Sequence, residues 1–333
     1  MTDQNIQVLL ARRPTGDVQE SDFKVVRTDV PTLQQGQFLV RNHFLSLDPY
    51  MRGRMSDAPS YAQPVTVGDV MVGGTVGEVV DSRNERFKPG DRVLGFFGWQ
   101  LFGVSDGTGV TGITDQDLPL SVYLGAVGMP GVTAYVGLMD IGQPKAGETV
   151  VVSAASGAVG SVVGQLAKIH GCRSVGIAGG PDKCRYVTDE LGLDACVDYK
   201  AGQLREDLKT AAPDGIDIYF ENVGGPILDT VLTRMKPFGR IPVCGMISQY
   251  NALEPYPVRH FNAILVNRLK VQGFIVSDQL ARWPAALKDL GQWVRAGKIK
   301  YRESIVNGLE NAPAAFIGLL AGKNFGKQLV QLI

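Results

Sequence analysis

Glu148-Thr-Val-Val-Val-Ser-Ala-Ala-Ser-Gly-Ala-Val-Gly-Ser161 is the stretch whose reading decides the fold. Thr149 to Ser153 is a short β-branched run of the kind that suits a strand buried in a parallel sheet. A turn of small residues, Ala154 to Gly160, follows it. Ser161 to His170 then reads as a helix, because Val159, Val162, Val163, Leu166 and Ile169 recur at spacings of three and four. Strand, glycine turn and helix in this order open a Rossmann unit. The turn lets backbone approach a pyrophosphate, and the helix N-terminus offers its N–H groups to the charge.

The usual G-x-G-x-x-G stands here as A-x-x-G-x-x-G, with Ala154 in the first glycine's place, and so short a motif also fits a plain tight turn. Context favours the Rossmann reading. Gly164 gives the helix a close-packing point against the sheet, and a second apolar strand, Ser174 to Ala178, follows at βαβ spacing. An NAD-selective site ends that second strand in Asp or Glu, which holds the ribose hydroxyls. This chain has Gly179-Gly180-Pro-Asp-Lys183. No carboxylate at the tip repels a 2′-phosphate, and a lysine stands one turn into the next helix, which favours NADPH. Pro181 and Asp182 equally suit an ordinary helix start with Lys183 solvated. These residues alone leave both readings open.

The 333 residues suggest two domains and suffice for a large core. Lys plus Arg and Asp plus Glu balance at 33 each, so neither nucleic acid nor an anionic membrane is an expected partner. No apolar run approaches the roughly 20 residues of a membrane span. The N-terminus lacks the basic and apolar regions of a signal peptide, which predicts a cytoplasmic protein. Cys172, Cys184, Cys196 and Cys244 show no C-x-x-C spacing and read as reduced, mostly buried thiols, and the three histidines are scattered. No metal site is expected.

Residues 1 to about 125 hold short strands between turn residues, among them Ile6–Ala11, Phe23–Asp29, Gln37–Leu45 and a glycine-rich Val70–Val80 that bends. This predicts a small barrel or sandwich. From Gly125 the pattern turns helical and then alternates. Strands are expected at 195–199, 216–221, 240–245 and 269–276. Helices are expected at 182–191 and 203–211, from after the strand-closing Asn222-Val-Gly-Gly225 to Met235, and at 283–295. The alternation predicts an α/β fold with a doubly wound parallel sheet. The tail from Lys300 reads as a return to short strands.

Several motifs occur in a telling order: Leu45-Ser-Leu-Asp-Pro-Tyr-Met-Arg-Gly-Arg-Met55, Gly128-Met-Pro-Gly-Val-Thr-Ala-Tyr135, the glycine turn, Glu221-Asn-Val-Gly-Gly225, Val243-Cys-Gly-Met-Ile-Ser-Gln-Tyr-Asn251, Gln272-Gly-Phe-Ile-Val276 and Gly322-Lys-Asn-Phe-Gly-Lys327. Together they resemble the zinc-independent medium-chain dehydrogenase/reductases, in the branch of prostaglandin, double-bond and curcumin reductases. The resemblance implies a GroES-like β-barrel domain over 1–125, completed by 300–333, and a Rossmann NADPH-binding domain over 126–299. It implies that Ala158, Val159, Gly160 and Ser161 hold the pyrophosphate, and Lys183 and Tyr199 the 2′-phosphate side. It places Met129, Thr133, Asn222, Cys244, Gly245, Tyr250, Phe274, Ile275, Val276 and Asn324 along the path to nicotinamide. Tyr50 and Tyr250 would border the substrate, and a homodimer is implied. Zinc relatives carry a cysteine near Ser46-Leu47-Asp48, whereas this chain has none before Cys172. Some relatives carry a tyrosine where Val266 stands.

Without a metal to ionise an alcohol, alcohol oxidation is poorly served. Hydride addition to the β-carbon of an enone asks less, because one or two hydrogen-bond donors on the carbonyl oxygen stabilise the enolate. Tyr50 and Tyr250 are the candidate donors, and each equally suits a packed aromatic with its hydroxyl bonded to backbone. The expected function is therefore an NADPH-dependent enone or enal reductase, without flavin. A quinone reductase and a non-enzymatic nucleotide-binding protein are the alternatives.

Overall fold

The apolar runs become strands of two large sheets and a two-stranded ribbon in the computed structural model, which describes residues 4–115 and 117–333. Strands β1 (Gln4–Leu10), β2 (Phe23–Asp29) and β3 (Phe38–Ser46) lead to a short helix, α1 (Met51–Arg54). Then come β4 (Thr75–Ser82), β5 (Arg92–Gly95), β6 (Phe102–Ser105) and β7 (Thr111–Gly112). Helix α2 (Met129–Val136) opens the alternation β8 (Thr149–Ser153), α3 (Gly160–Ile169), β9 (Arg173–Ala178), α4 (Pro181–Arg185) and β10 (Ala195–Asp198). It continues through α5 (Leu204–Ala211), β11 (Ile216–Phe220), α6 (Gly225–Leu232), β12 (Met235–Val243), α7 (Asn262–Val266), β13 (Lys270–Gly273) and α8 (Trp283–Arg295). The tail forms β14 (Glu303–Asn307), α9 (Ala312–Leu320) and β15 (Lys327–Gln331). Two units result: one takes the described part of Met1–Leu124 with Glu303–Asn324 and Gln328–Ile333, the other Gly125–Arg302 with Phe325–Lys327.

The first unit is the GroES-like β-barrel part. Its sheet runs β14-β15-β3-β4-β5-β7, with β6 also on β3. Trp99 stacks on Phe23 at 5.5 Å and meets the edge of Phe316 at 5.7 Å, and all three are buried. Phe316 comes from the tail, as do Leu309, Ala312, Leu319 and Val330 of the same cluster. Burying such aromatics is the main stabilising contribution here. The tail is not all strand, as the sequence reading had it. Its helix α9 is apolar nearly all round, so no period marks it. The ladder expected from Val70 begins only at Thr75. Its register shifts opposite Asn42, where a Cβ on Gly77 would lie 2.3 Å from the Arg41 carbonyl oxygen.

The second unit is a doubly wound sheet of six parallel strands in the order β10-β9-β8-β11-β12-β13. Counted from β8 this is 3-2-1-4-5-6, the dinucleotide-binding order, whose direction reverses between β8 and β11. All of β8 is buried, which is why its sequence shows no alternation. Helix α6 stops at Leu232 rather than reaching Met235. Arg234 donates its N–H to Val231 at 2.8 Å and accepts that of Ile216 at 3.0 Å, so the chain reverses and Met235 already pairs with Ile216. The strand expected to reach Val276 closes at Gly273, because a turn starts where Asp278 bonds the Ile275 carbonyl at 3.1 Å. Gly164 sits against the sheet, its carbonyl accepting the Ser174 hydroxyl of β9 at 2.8 Å, and Leu193 fills the space a side chain would need. Among the described residues no helix is long and apolar enough to cross a membrane.

Candidate functional site

The glycine turn joins β8 to α3. Ala154 takes the left-handed conformation, with φ 51°, that the usual first glycine supplies. Its carbonyl accepts the Gly157 N–H at 2.9 Å, while Ala155 is tied to Ile177 of β9 at 3.1 Å. Gly160 has no room for a side chain, since a Cβ would stand 2.3 Å from the Ala154 oxygen. The turn is therefore pressed down to bare backbone at the start of α3, where Ala158, Val159, Gly160 and Ser161 lie. Gly326 flanks it, donating its N–H to the Ser156 carbonyl at 3.1 Å. A side chain on Gly326 would strike the Arg302 carbonyl oxygen at 2.0 Å, and the Arg302 guanidinium lies 3.9 Å from the Phe325 ring centre.

At the end of β9 a Cβ on Gly179 would fall 2.8 Å from the Tyr199 ring, so the tyrosine covers the strand tip because glycine leaves the space. The next strand does end in a carboxylate, Asp198, whose Oδ1 accepts the N–H groups of Gly180 at 2.8 Å and Lys200 at 2.9 Å. Lys183 is half-buried. Burial first, and then the nearby Lys200, hold its ammonium below the ordinary lysine range. Two cations thus share one corner with Tyr199, and Lys200 had not been singled out from the sequence. A bound dianion would relieve both effects on Lys183.

At the switch point, Ser153 closes β8 and Glu221 follows β11. Glu221 is wholly buried. Its Oε1 accepts the N–H groups of Val223 and Gly224 at 2.6 and 2.9 Å and the hydroxyls of Ser153 and Tyr219, each at 3.1 Å. Burial nonetheless raises the Glu221 carboxyl above its ordinary range. Ser153 in turn accepts the Asn222 N–H at 2.9 Å, and the Asn222 side-chain amide donates to the Ser153 carbonyl at 2.8 Å. Asn222 is thereby fixed between the two strands. The sequence had given Asn222 a role, whereas Ser153 and Glu221 stood there only as strand ends and Tyr219 was not marked.

Further along the sheet edge, Cys244 and Gly245 donate their N–H groups to the Glu221 carbonyl at 2.9 and 3.2 Å. Burial, then Glu221, pushes the Cys244 thiol up to about 12, so it stays protonated. The Tyr250 hydroxyl accepts the Met246 N–H at 3.2 Å and would touch any Cβ on Gly245. Phe274 meets Phe220 edge-on, and the Val276 carbonyl accepts the Trp283 indole N–H at 3.2 Å. On α2, Thr133 donates to the Met129 carbonyl at 2.8 Å.

Tyr50 and Asn324 belong to the first unit and the other sequence-marked residues to the second. Tyr50 caps α1, with the Arg54 guanidinium 5.9 Å from its ring. Burial, and then Asp48, push its hydroxyl far above the ordinary tyrosine range. Tyr50 is therefore a neutral O–H at any working pH. Cys172 is fully buried and the other three thiols are half-buried, where the sequence reading expected most to be buried. Among the described residues no group of three His, Cys, Asp or Glu side chains converges on a metal position.

Residues 6–113 match the family described as "N-terminal domain of oxidoreductase", and residues 158–292 match "Zinc-binding dehydrogenase". The "NADPH-dependent curcumin reductase" of Escherichia coli (strain K12) is 51% identical, with 98% of this chain and 97% of that one covered. The chain belongs to the medium-chain dehydrogenase/reductase family. Within it, the "2-alkenal reductase (NADP(+)-dependent)" of Nicotiana tabacum is 44% identical over 98% of this chain and 97% of its own. The crystal structure of CurA from Vibrio vulnificus in complex with NADPH superposes with a TM-score of 0.95, at 51% identity over 98% and 99% of the two chains.

Proposed function

We propose that this protein is an NADPH-dependent reductase of the carbon–carbon double bond in α,β-unsaturated ketones and aldehydes. The observation that carries the reading is full-length similarity, at 44–51% identity, to reductases named for NADPH and for curcumin or 2-alkenals. The residues of the second unit fit NADPH. The backbone-only turn at Gly160 suits a pyrophosphate, and the Lys183–Lys200 corner beside Tyr199 suits a 2′-phosphate. Ala158 to Ser161 would hold the pyrophosphate. Asn222, Cys244, Gly245, Tyr250, Phe274 to Val276, Met129, Thr133 and Asn324 would line the nicotinamide side. When bound, NADPH supplies the hydride that the β-carbon accepts.

The chain's own work is to hold the acceptor and its developing charge. Negative charge gathers on the substrate carbonyl oxygen, where neutral donors stabilise it without an ion to desolvate. Tyr50 suits this role, since its O–H does not ionise. Tyr250 is the second donor, with its hydroxyl set by the Met246 N–H. Water or a tyrosine then protonates the α-carbon. The Ser153–Glu221–Asn222 network keeps the strand ends rigid while this happens. We assign no zinc to the site, because the sequence lacks a cysteine before Cys172 where zinc relatives place one.

We also propose a homodimer through β13. This strand ends the parallel sheet, and all its residues are exposed. Phe261, Leu265 and Val266 beside it are exposed too, a combination that a second copy pairing edge to edge would cover. A cytoplasmic location suits the four free thiols. The test is NADPH oxidation by purified protein with an alkenal, a curcumin-like dienone, a quinone or no acceptor, with product analysis. Saturation of the double bond supports the reading. Turnover of the quinone alone would replace it with a quinone reductase, and no oxidation with any acceptor would leave only nucleotide binding.

A further inference from the structure

Cys184 and Cys196 take no part in the roles above. Cys184 follows Lys183 in α4, and Cys196 lies in β10 opposite Gly176 of β9. A Cβ on Gly176 would come 3.3 Å from the Cys196 sulfur and 2.8 Å from Val187, on the helical turn after α4. The Cys196 sulfur therefore stands on the sheet face that this helical segment covers. The two thiols lie close enough to act on each other, and both are half-buried rather than sealed in the core. By contrast, Cys172 is buried and donates to the Lys145 carbonyl at 3.2 Å.

We propose that Cys184 and Cys196 form a peroxide-sensitive dithiol whose closure to a disulfide displaces Lys183 and weakens NADPH binding selectively. The second half rests on the NADPH reading given above. The neighbouring Cys196 lowers the Cys184 thiol and itself holds its proton more tightly, so Cys184 is the attacking sulfur. The Cys184 thiolate attacks one oxygen of hydrogen peroxide, the O–O bond breaks, and a sulfenic acid and one water result once the released hydroxide is protonated. The Cys196 sulfur then attacks the Cys184 sulfur. The S–O bond breaks, and its hydroxyl leaves with the Cys196 proton as a second water. Two thiols lose two electrons and the peroxide gains them.

A disulfide holds its sulfurs about 2.05 Å apart, inside any non-covalent contact, and the proposed closure draws α4 toward β10. Lys183 is the adjacent residue and moves with it. A displacement of about 1 Å at a charge-recognising group changes binding by roughly tenfold or more.

The experiment treats the full-length protein with hydrogen peroxide, alkylates the remaining thiols and maps non-reduced peptides by mass spectrometry. KM for NADPH and NADH is measured before treatment, after it, and after dithiothreitol. The expected result is a peptide pair linked through 184 and 196, with KM for NADPH raised about tenfold and KM for NADH changed less than about twofold. Dithiothreitol reverses the shift, and Cys184→Ser and Cys196→Ser retain activity and do not respond to peroxide. Absence of the linked pair, an unchanged NADPH KM in linked protein, or an equal response in Cys184→Ser would overturn the proposal. Lys183→Ala in reduced protein reads the underlying assignment separately. Equal effects on both cofactors would remove the coupling to cofactor choice, while the peptide map still decides the disulfide.

Discussion

Replacing Gly160 with alanine puts a methyl group 2.3 Å from the Ala154 carbonyl oxygen, 2.8 Å from its carbonyl carbon and 3.0 Å from the Ala155 Cα. A relaxed carbon–oxygen contact is about 3.3 Å, so the turn must open by about 1 Å. It has little freedom to do so. Ala154 already holds a left-handed φ of 51°, and Ala155 is tied to β9 by the bond to Ile177. Forcing the methyl in costs about 1–3 kcal/mol of stability. A 1 Å shift of phosphate-binding backbone loses up to about 100-fold in positioning. The expected outcome is a folded protein with a lowered melting temperature and an NADPH Kd raised about 30- to 100-fold, read by fluorescence titration. Gly157→Ala is the control, since its Cβ meets only the Ala154 oxygen, at 3.1 Å, and its effect is smaller. Binding of NADPH by Gly160→Ala within about threefold of wild type would refute the reasoning, because the turn would then not be the cradle.

Other expectations follow from the same geometry. Lys183→Ala removes a charge-assisted contact worth about 1.5–3 kcal/mol, so KM for NADPH rises about 10- to 100-fold, toward the lower figure because Lys200 remains, with NADH little affected. Steady-state kinetics with both cofactors decide it. Tyr50→Phe lowers kcat/KM for an enone by about 100-fold, the loss expected for one donor to a developing oxyanion. Because burial, then Asp48, holds the Tyr50 hydroxyl neutral, the wild-type rate profile from about pH 6 to 10 should show no limb that Tyr50→Phe abolishes. Glu148 and Arg240 form a largely buried pair with bonds of 2.6 and 2.9 Å. Burial alone would raise the Glu148 carboxyl, but Arg240 and the Lys145 N–H outweigh it and lower it. Its contribution is therefore full above about pH 4.3 and disappears as pH falls through the lowered value. Glu148→Gln should cost about 1.5–3 kcal/mol in urea unfolding at pH 7, and the gap should shrink under strong acid; a gap independent of pH would assign the loss to packing.

What the sequence made legible was local. The β8–turn–α3 unit declares itself through a β-branched run, small residues and a helical stripe within one short window. The beginning of β12 was hidden because Lys236-Pro-Phe-Gly239 reads as a turn. In the folded chain Pro237 sits in the strand and Phe238 takes φ 64° at a register shift. Helix α9 was hidden for the opposite reason, being apolar on every side. Of the site, Lys183 and Asn222 stand in recognisable motifs, and Tyr199 came only through the family resemblance. The Ser153–Glu221 contact does not, because it joins strands 68 positions apart through a side chain that looks like an ordinary strand end. Only the sheet order brings the two together.

The interleaving of the tail with the first unit also sets an order in time. Strand β15 lies between β14 and β3, with Leu329 opposite Ser46, and Phe316 fills the space against Trp99. As the chain leaves the ribosome, the parallel sheet has all its strands before either tail strand exists. The early strands of the first unit must wait for its tail, with β3 open along one side and Trp99 stacked on Phe23 but lacking Phe316. Synthesis therefore exposes the barrel unit to misassociation longest, and the middle of the chain can finish folding before its beginning.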